Sequence, residues 1–203
     1  MSDLFHDKAA DWDTRPVPAQ ISDGVVAAII ARVPLAPNLT AMDFGAGTGL
    51  LAGKLAPRIG RLLAVDISPA MLAQLAAKPE LAGKAEVFCQ DLLTTPLGRT
   101  VDLVVSAMAM HHVADTAGLL RALFAHLTPG GRVALADLDA EDGSFHPPGA
   151  EGVFHAGFDR EALAELARAA GFVDVQLATA CEVTKEMRRY PIFLLTATRP
   201  PAA

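Results

Sequence analysis

Between Asp43 and Gly49 the chain reads Asp-Phe-Gly-Ala-Gly-Thr-Gly, and a second acid, Asp66, follows Gly45 by 21 positions. Glycines so spaced let a backbone take positive φ and approach a ligand closely. A carboxylate at that remove, if it ends the next strand, can accept both hydroxyls of a ribose. His111 and His112 form a second reactive pair, since an imidazole can take a proton near neutral pH. For His111 a core position bonded to the backbone is the plainer alternative, whereas His112 is the candidate base. A third group lies in the segment 137–158, where Asp137, Asp139, Glu141, Asp142, His146 and His155 stand among several glycines and prolines. Carboxylates and imidazoles can bind a metal, but no spacing here matches a ligand set. The expectation is therefore no metal, and a lid loop over a second ligand.

These residues need elements to hold them. From Pro18 to Val33 the apolar residues Ile21, Val25, Ile29 and Val33 recur every four positions, as in an amphipathic helix. Short apolar runs follow at Leu39–Phe44, Leu62–Val65, Ala85–Cys89, Val101–Ser106 and Arg132–Ala136, each read as a buried strand. Helical segments alternate with them. One starts near Leu50 after the glycine turn and ends at Pro57. Another runs to Ala76 behind Ser68-Pro69, an N-cap with proline at the first helical position. Asp115 caps a helix with Leu119, Leu120, Leu123, Phe124 and Leu127 on one face. Asp159 caps Glu161–Ala170, with Leu163, Leu166, Ala167 and Ala170 on its face and Gly171 beyond its end. The alternation predicts βαβ units around a parallel sheet. Phe172–Ala180 and Ile192–Thr198 have no helix between them, so they must form an antiparallel hairpin. The predicted architecture is α/β, a Rossmann-like three-layer sandwich with a seven-stranded, mostly parallel sheet. One domain is expected over residues 1–203, with a helical cap at 1–35 and the lid loop at 137–158.

In such a sheet the ligand sits beyond the carboxyl ends of the strands, which is where the glycine turn and Asp66 should meet. A dinucleotide site would fit these features as well, but its G-x-G-x-x-G fingerprint needs glycine at position 50. Leu50 stands there. The spacing is G-x-G-x-G instead, and it resembles the first motif of the class I S-adenosylmethionine-dependent methyltransferases. The resemblance continues through Ala64-Val65-Asp66-Ile67-Ser68, similar to that family's ribose-binding segment, and Gln90-Asp91-Leu92, similar to its adenine-binding segment. Val101–Ser106 followed by His111-His112-Val113 resembles its fourth-strand motif, and Leu127-Thr128-Pro129-Gly130-Gly131 its fifth. The similarity is greatest to the small-molecule branch that includes quinone-biosynthesis (type 11) methyltransferases.

That resemblance implies S-adenosylmethionine as cofactor. Gly45, Ala46, Gly47 and Gly49 would line its methionine part, Asp66 would take the ribose hydroxyls, and Ile67 would lie against the adenine. Asp91, with Leu92 beside it, would accept from the adenine amino group. Asp43 would order the glycine loop, and Ala107 would present its backbone near the methionine ammonium. Ile67 and Ala107 read equally as core, and Asp43 as a strand-end cap. Trp12 would close over the cofactor or serve as a hydrophobic anchor.

Methyl transfer from a sulfonium is an in-line displacement, so the enzyme's main task is to align the acceptor, a contribution that can reach ~7–11 kcal/mol. His112 is the candidate general base. A nicotinamide-dependent oxidoreductase, or a protein that binds the cofactor without transferring the methyl group, is the competing reading.

Composition narrows the acceptor. A net charge of −6, with 17 scattered basic residues, argues against nucleic acid. Lys185, Arg188 and Arg189 form the densest basic group and read as a solvated loop. The Asn-Pro-Pro-Tyr tetrad of amide and adenine nitrogen methylation is missing, which points to a small-molecule acceptor. The longest apolar stretch, Val101–Met110, falls well short of the ~20 residues a membrane span needs. The acidic N-terminus does not read as a secretory signal. Cys89 and Cys181 read as buried, reduced thiols. The expectation is a cytoplasmic monomer or homodimer with no nucleic-acid or membrane partner.

Overall fold

The structure is a computed structural model and describes residues 3–202. Helix α1 (Pro16–Arg32) starts on a proline, whose fixed φ suits the first helical position, and buries Ile21, Val25 and Ile29. Strand β1 (Thr40–Phe44) leads through the glycine turn into the short helix α2 (Leu50–Leu55). Then come β2 (Arg61–Asp66), α3 (Pro69–Ala76), β3 (Ala85–Cys89) and β4 (Val101–Ala107). The chain ends with α4 (Thr116–Ala125), β5 (Leu127–Leu138), α5 (Arg160–Ala169), β6 (Val173–Lys185) and β7 (Arg188–Thr198). The expected caps form: Ser68 Oγ accepts from Met71 N, Asp115 from Gly118 N, and Asp159 from Ala162 N.

All seven strands join one sheet in the order β3-β2-β1-β4-β5-β7-β6. The strands from β1 to β5 pair in parallel, and β7 is antiparallel to both β5 and β6. Chain order reverses between β1 and β4, which makes that gap the topological switch point. Successive residues of the central strands face opposite layers. Ala41, Ala64, Leu103 and Val105 pack towards α1, α2 and α3, while Met42, Val65 and Val104 pack towards α4 and α5. Both faces are covered, so the strands read as unbroken apolar runs. Trimming one such leucine to alanine typically costs roughly 2–5 kcal/mol.

Five details differ from the sequence pattern. Thr128–Gly131, read as a turn, belongs to β5, where a register shift opposite Val101–Leu103 absorbs the extra residues. Gly130 permits this with φ 81°, and at Gly131 a Cβ would lie 2.8 Å from the Thr128 carbonyl oxygen. Strand β5 also continues through Asp137 and Leu138, so Asp137 is buried strand and the connection to α5 begins at Asp139. Lys185, Arg188 and Arg189 are not a loop but the paired ends of the β6–β7 hairpin, turned tightly by Glu186 and Met187 with φ 51° and 63°. Neither cysteine is fully buried: Cys89 is exposed on the edge strand β3, and Cys181 is half-buried on the opposite edge strand. Leu166 is likewise exposed, because α5 rests on Leu163, Ala164 and Ala167.

Candidate active site

The turn that leaves β1 is tied to the end of β2. Gly45 N and Ala46 N both donate to the Val65 carbonyl, at 2.9 and 3.1 Å. Gly47 N donates to Asp66 Oδ2 at 2.8 Å, and Ser68 N donates to Asp66 Oδ1 at 2.9 Å. Gly47 has φ 52°, and a side chain there would point into open space. Gly45 instead is pressed against the β4 exit, since its Cβ would come within 2.2 Å of the Ala109 Cβ. The loop is thus closed behind and open in front.

Beneath it, Asp43 is 1% exposed, and its Oδ2 has no partner among the described residues. Burial, with the nearby Asp66 charge, pushes the Asp43 carboxyl up to about 8. Burial also raises Asp66, while the amides of Ser68, Gly47 and Ile67 pull it back. An unpaired buried oxygen of this kind suits a ligand that brings a donor or a positive charge.

The residues expected around the adenine divide. Ile67 is 60% exposed beside Asp66, an apolar surface at the mouth of the turn. Asp91 is exposed, and its Oδ1 accepts from Leu93 N at 2.9 Å. Leu92 turns its side chain into the core among Val65 and Leu120, so only its backbone faces the edge. Ala46 is buried under the loop, and Ala107 is half-buried at the end of β4.

The N-terminal segment reaches this edge through Trp12 and through Asp3, Phe5 and Asp13, which no sequence motif marks. Asp3 Oδ2 accepts from Ser68 Oγ at 2.9 Å and from Ala70 N at 3.3 Å. Asp13 accepts from the Thr48 hydroxyl at 2.5 Å and pairs with Lys78 at 2.6 Å. Trp12 packs edge-on against Phe5 and under the Arg15 guanidinium. Phe5 stands edge-on to the His112 ring, 5.3 Å away. No periodicity marks such contacts, because each is a single side chain meeting a distant element.

Beyond β4, Met108 (φ 60°) bends the chain into a 3₁₀ turn at Met110–His112. His111 is buried, donates its backbone N–H to Asp137 Oδ2 at 3.1 Å, and holds Asp137 Oδ1 with Nδ1 at 2.7 Å. Its Nε2 has no partner among the described residues. His112 Nδ1 donates to the Gly152 carbonyl at 2.6 Å, which leaves the lone pair on Nε2. The ring of His146 comes within 4.9 Å of the His111 ring and 6.0 Å of the His112 ring. One nitrogen from each of the three lies within 4.8 Å of the others.

Burial, then the neighbouring His111, lowers His112 to about 4. The same causes, burial first, lower His146 to about 4. His112 therefore does not titrate near neutrality as expected, and it is a neutral imidazole at pH 7. The other polar residues of the connection are structurally engaged. Asp139 accepts from Nε and Nη2 of Arg160, Asp142 pairs with Arg188, and Glu141 accepts from Ser144 N and Phe145 N. His155 Nε2 donates to the Val113 carbonyl.

Residues 41–131 match the family described as a methyltransferase domain. An uncharacterised methyltransferase of Mycobacterium bovis is 38% identical over 107 residues, covering 52% of this chain and 53% of its own length. The chain thus spans about half the length of the curated relatives it matches. A chain in the complex of the Haloferax volcanii Trm112 methyltransferase activator with a methyltransferase superposes with a TM-score of 0.80 at 20% identity, covering 98% of this chain and 99% of that one. Magnesium protoporphyrin IX methyltransferase of Synechocystis, solved with S-adenosylhomocysteine, superposes with a TM-score of 0.72 at 21% identity, covering 97% of each chain. These superpositions establish the fold, a seven-stranded α/β sheet that is parallel from β1 to β5 and antiparallel at β7.

Proposed function

From a methyltransferase domain on the class I fold, we propose that this protein transfers a methyl group from S-adenosylmethionine to a small molecule. One observation carries the reading. At the switch point the glycine turn is hydrogen-bonded to Asp66, opens outward at Gly47, and lies over a buried Asp43 oxygen that lacks a partner among the described residues. The residues fit the cofactor's chemistry: an orphaned carboxyl oxygen for a donor or cation, an acid for hydroxyls, and exposed Ile67 for a flat apolar ring. Gly45, Ala46, Gly47 and Gly49 would take the methionine part with the Ala107 backbone. Asp91 and the Leu92 backbone would border the adenine.

When bound, the cofactor supplies an electrophilic methyl group on sulfur. The chain's own residues do the rest. The open face of the glycine turn and Asp66 fix the donor in place, so that the reaction needs only an acceptor held in line with it. His112 meets that acceptor from the β4 exit, presenting an unprotonated nitrogen that can take a proton directly or hold a group that does. Phe5, Trp12 and the connection after β5 exclude water from this edge. We read the chain as one domain, with residues 3–35 as a cap and the connection that follows β5, residues 139–158, as a lid over the acceptor.

A small acceptor is supported by the acidic charge and by the porphyrin named for the Synechocystis neighbour. Among the described residues no helix is long and apolar enough to cross a membrane. A cytoplasmic setting is supported by two unpaired thiols, and we infer a monomer or homodimer with no nucleic-acid partner. The test is calorimetry with S-adenosylhomocysteine and with reduced nicotinamide dinucleotide, followed by an acceptor screen that detects released S-adenosylhomocysteine. Binding of the dinucleotide alone would overturn the proposal.

A further inference from the structure

The three converging histidines do more than the methyl-transfer reading requires. We propose that His111, His112 and His146 form a site for a divalent first-row transition cation, zinc above all, with one coordination position left open towards the acceptor. One nitrogen from each ring lies within 4.8 Å of the other two. The buried Nε2 of His111 has no hydrogen-bond partner among the described residues. A buried polar atom of that kind costs free energy unless something occupies it.

The surroundings are those of metal-bound imidazoles. A ligating histidine almost always donates its other ring N–H to a carboxylate or a carbonyl, which fixes the tautomer and the ring's direction. Here Asp137 serves His111, and the Gly152 carbonyl serves His112. Asp137 also brings a negative charge to offset the cation. The hard oxygen ligands nearby are already committed, Asp139 to Arg160 and Asp142 to Arg188. An all-imidazole set selects zinc, cobalt, nickel or copper over magnesium and calcium.

Three protein ligands with a free fourth position mark a reactive zinc site, whereas structural sites are closed by four. A tetrahedral ion about 2.0–2.1 Å from each nitrogen needs them about 3.4 Å apart, so rings whose nitrogens now lie within 4.8 Å must draw together by up to about 1.4 Å, a movement open to His146. It lies on the β5–α5 connection, where such a movement disturbs no strand or helix.

The location gives the cation its use, and this part rests on the methyl-transfer reading. The histidines begin two residues after Ala109, which packs against Gly45 of the cofactor turn. An acceptor hydroxyl or thiol held at the open position releases its proton to water at neutral pH. Its electron pair then forms the bond to the methyl carbon as the carbon–sulfur bond breaks, and a neutral thioether leaves. The acceptor class is therefore an alcohol, phenol or thiol.

Chelator-treated full-length protein is titrated with Co²⁺ and then Zn²⁺, and S-adenosylhomocysteine binding is measured on the same preparation. One Co²⁺ per chain is expected, with the intense visible absorption of tetrahedral cobalt, displaced by Zn²⁺. His146→Ala, outside the sheet and its helices, should lose at least about a hundredfold in Co²⁺ affinity together with that spectrum, while binding S-adenosylhomocysteine as the wild type does. Asp137→Asn should weaken Co²⁺ by about 10–100-fold through its hold on His111. Equal Co²⁺ affinity in wild type and His146→Ala, or a pale octahedral spectrum, overturns the site. A chain that binds tetrahedral Co²⁺ but no S-adenosylhomocysteine keeps this site and loses the methyltransferase reading. The reverse result loses the site alone.

Discussion

Asp66, the last residue of β2, accepts the Gly47 backbone N–H at 2.8 Å, so the acid read as a ribose ligand also shapes the turn that leaves β1. Its other oxygen holds Ser68 N at 2.9 Å, at the entry to α3. One carboxylate thereby joins both sides of the proposed cofactor cleft.

Asp66→Ala removes the ribose acceptor and frees the Gly47 amide together. S-adenosylhomocysteine binding should weaken by on the order of 2 kcal/mol, roughly thirtyfold or more. The fold should persist, because the residue sits at a strand end. Calorimetry that returns wild-type affinity from a folded variant would refute the assignment.

Gly47 and Gly83 make a matched pair. Both have positive φ, 52° and 74°, and at both a Cβ would meet nothing within 4 Å. Valine at either position carries similar backbone strain, of order 1–3 kcal/mol. Only Gly47→Val also fills the space in front of Asp66. Both variants should melt below wild type, but Gly47→Val alone should lose ligand binding. Equal binding by the two would make the glycine turn a mere turn.

The Asp43 carboxyl is raised by burial from 3.8 to about 8. Between those values the native state therefore holds a proton that the unfolded chain gives up. Stability falls with rising pH wherever the native state binds more protons, so this group's contribution is full below about pH 4 and is lost as the pH approaches 8. Melting temperatures of the ligand-free protein at pH 5 and pH 8 should differ less in Asp43→Asn than in wild type. An unchanged difference would mean that Asp43 is ionised throughout.

His112→Ala should reduce turnover by about 10²-fold or more, the lower end for a group that manages a proton in the transition state. Affinity for S-adenosylhomocysteine and the melting temperature should stay near wild type. A fall in both, with turnover per bound cofactor preserved, would make His112 a structural residue only.

Much of the fold was legible in the chain because its signals are local. Ser68, Asp115 and Asp159 cap helices through amides three residues away, and the glycine turn needs only its own φ angles. Alternating strands and helices likewise require only apolar runs of the right length. The β5 bulge at Thr128–Gly131 has no sequence signal of its own, because glycine and proline mark a bulge and a turn alike. The chemistry at the acceptor edge was legible only in part. His111 and His112 announce themselves as a pair, but His146 joins them from another segment, and no spacing rule connects the two. Asp137 looked like loop until β5 ran through it and turned its carboxylate under His111. Asp3 and Asp13 reach Ser68 and Thr48 only because the N-terminal segment folds back over the sheet edge. The lowering of His112 to about 4 likewise follows from packing. Backbone preference depends on neighbours a few residues away and can be read from order alone. Desolvation and the meeting of distant side chains depend on what the finished fold brings together.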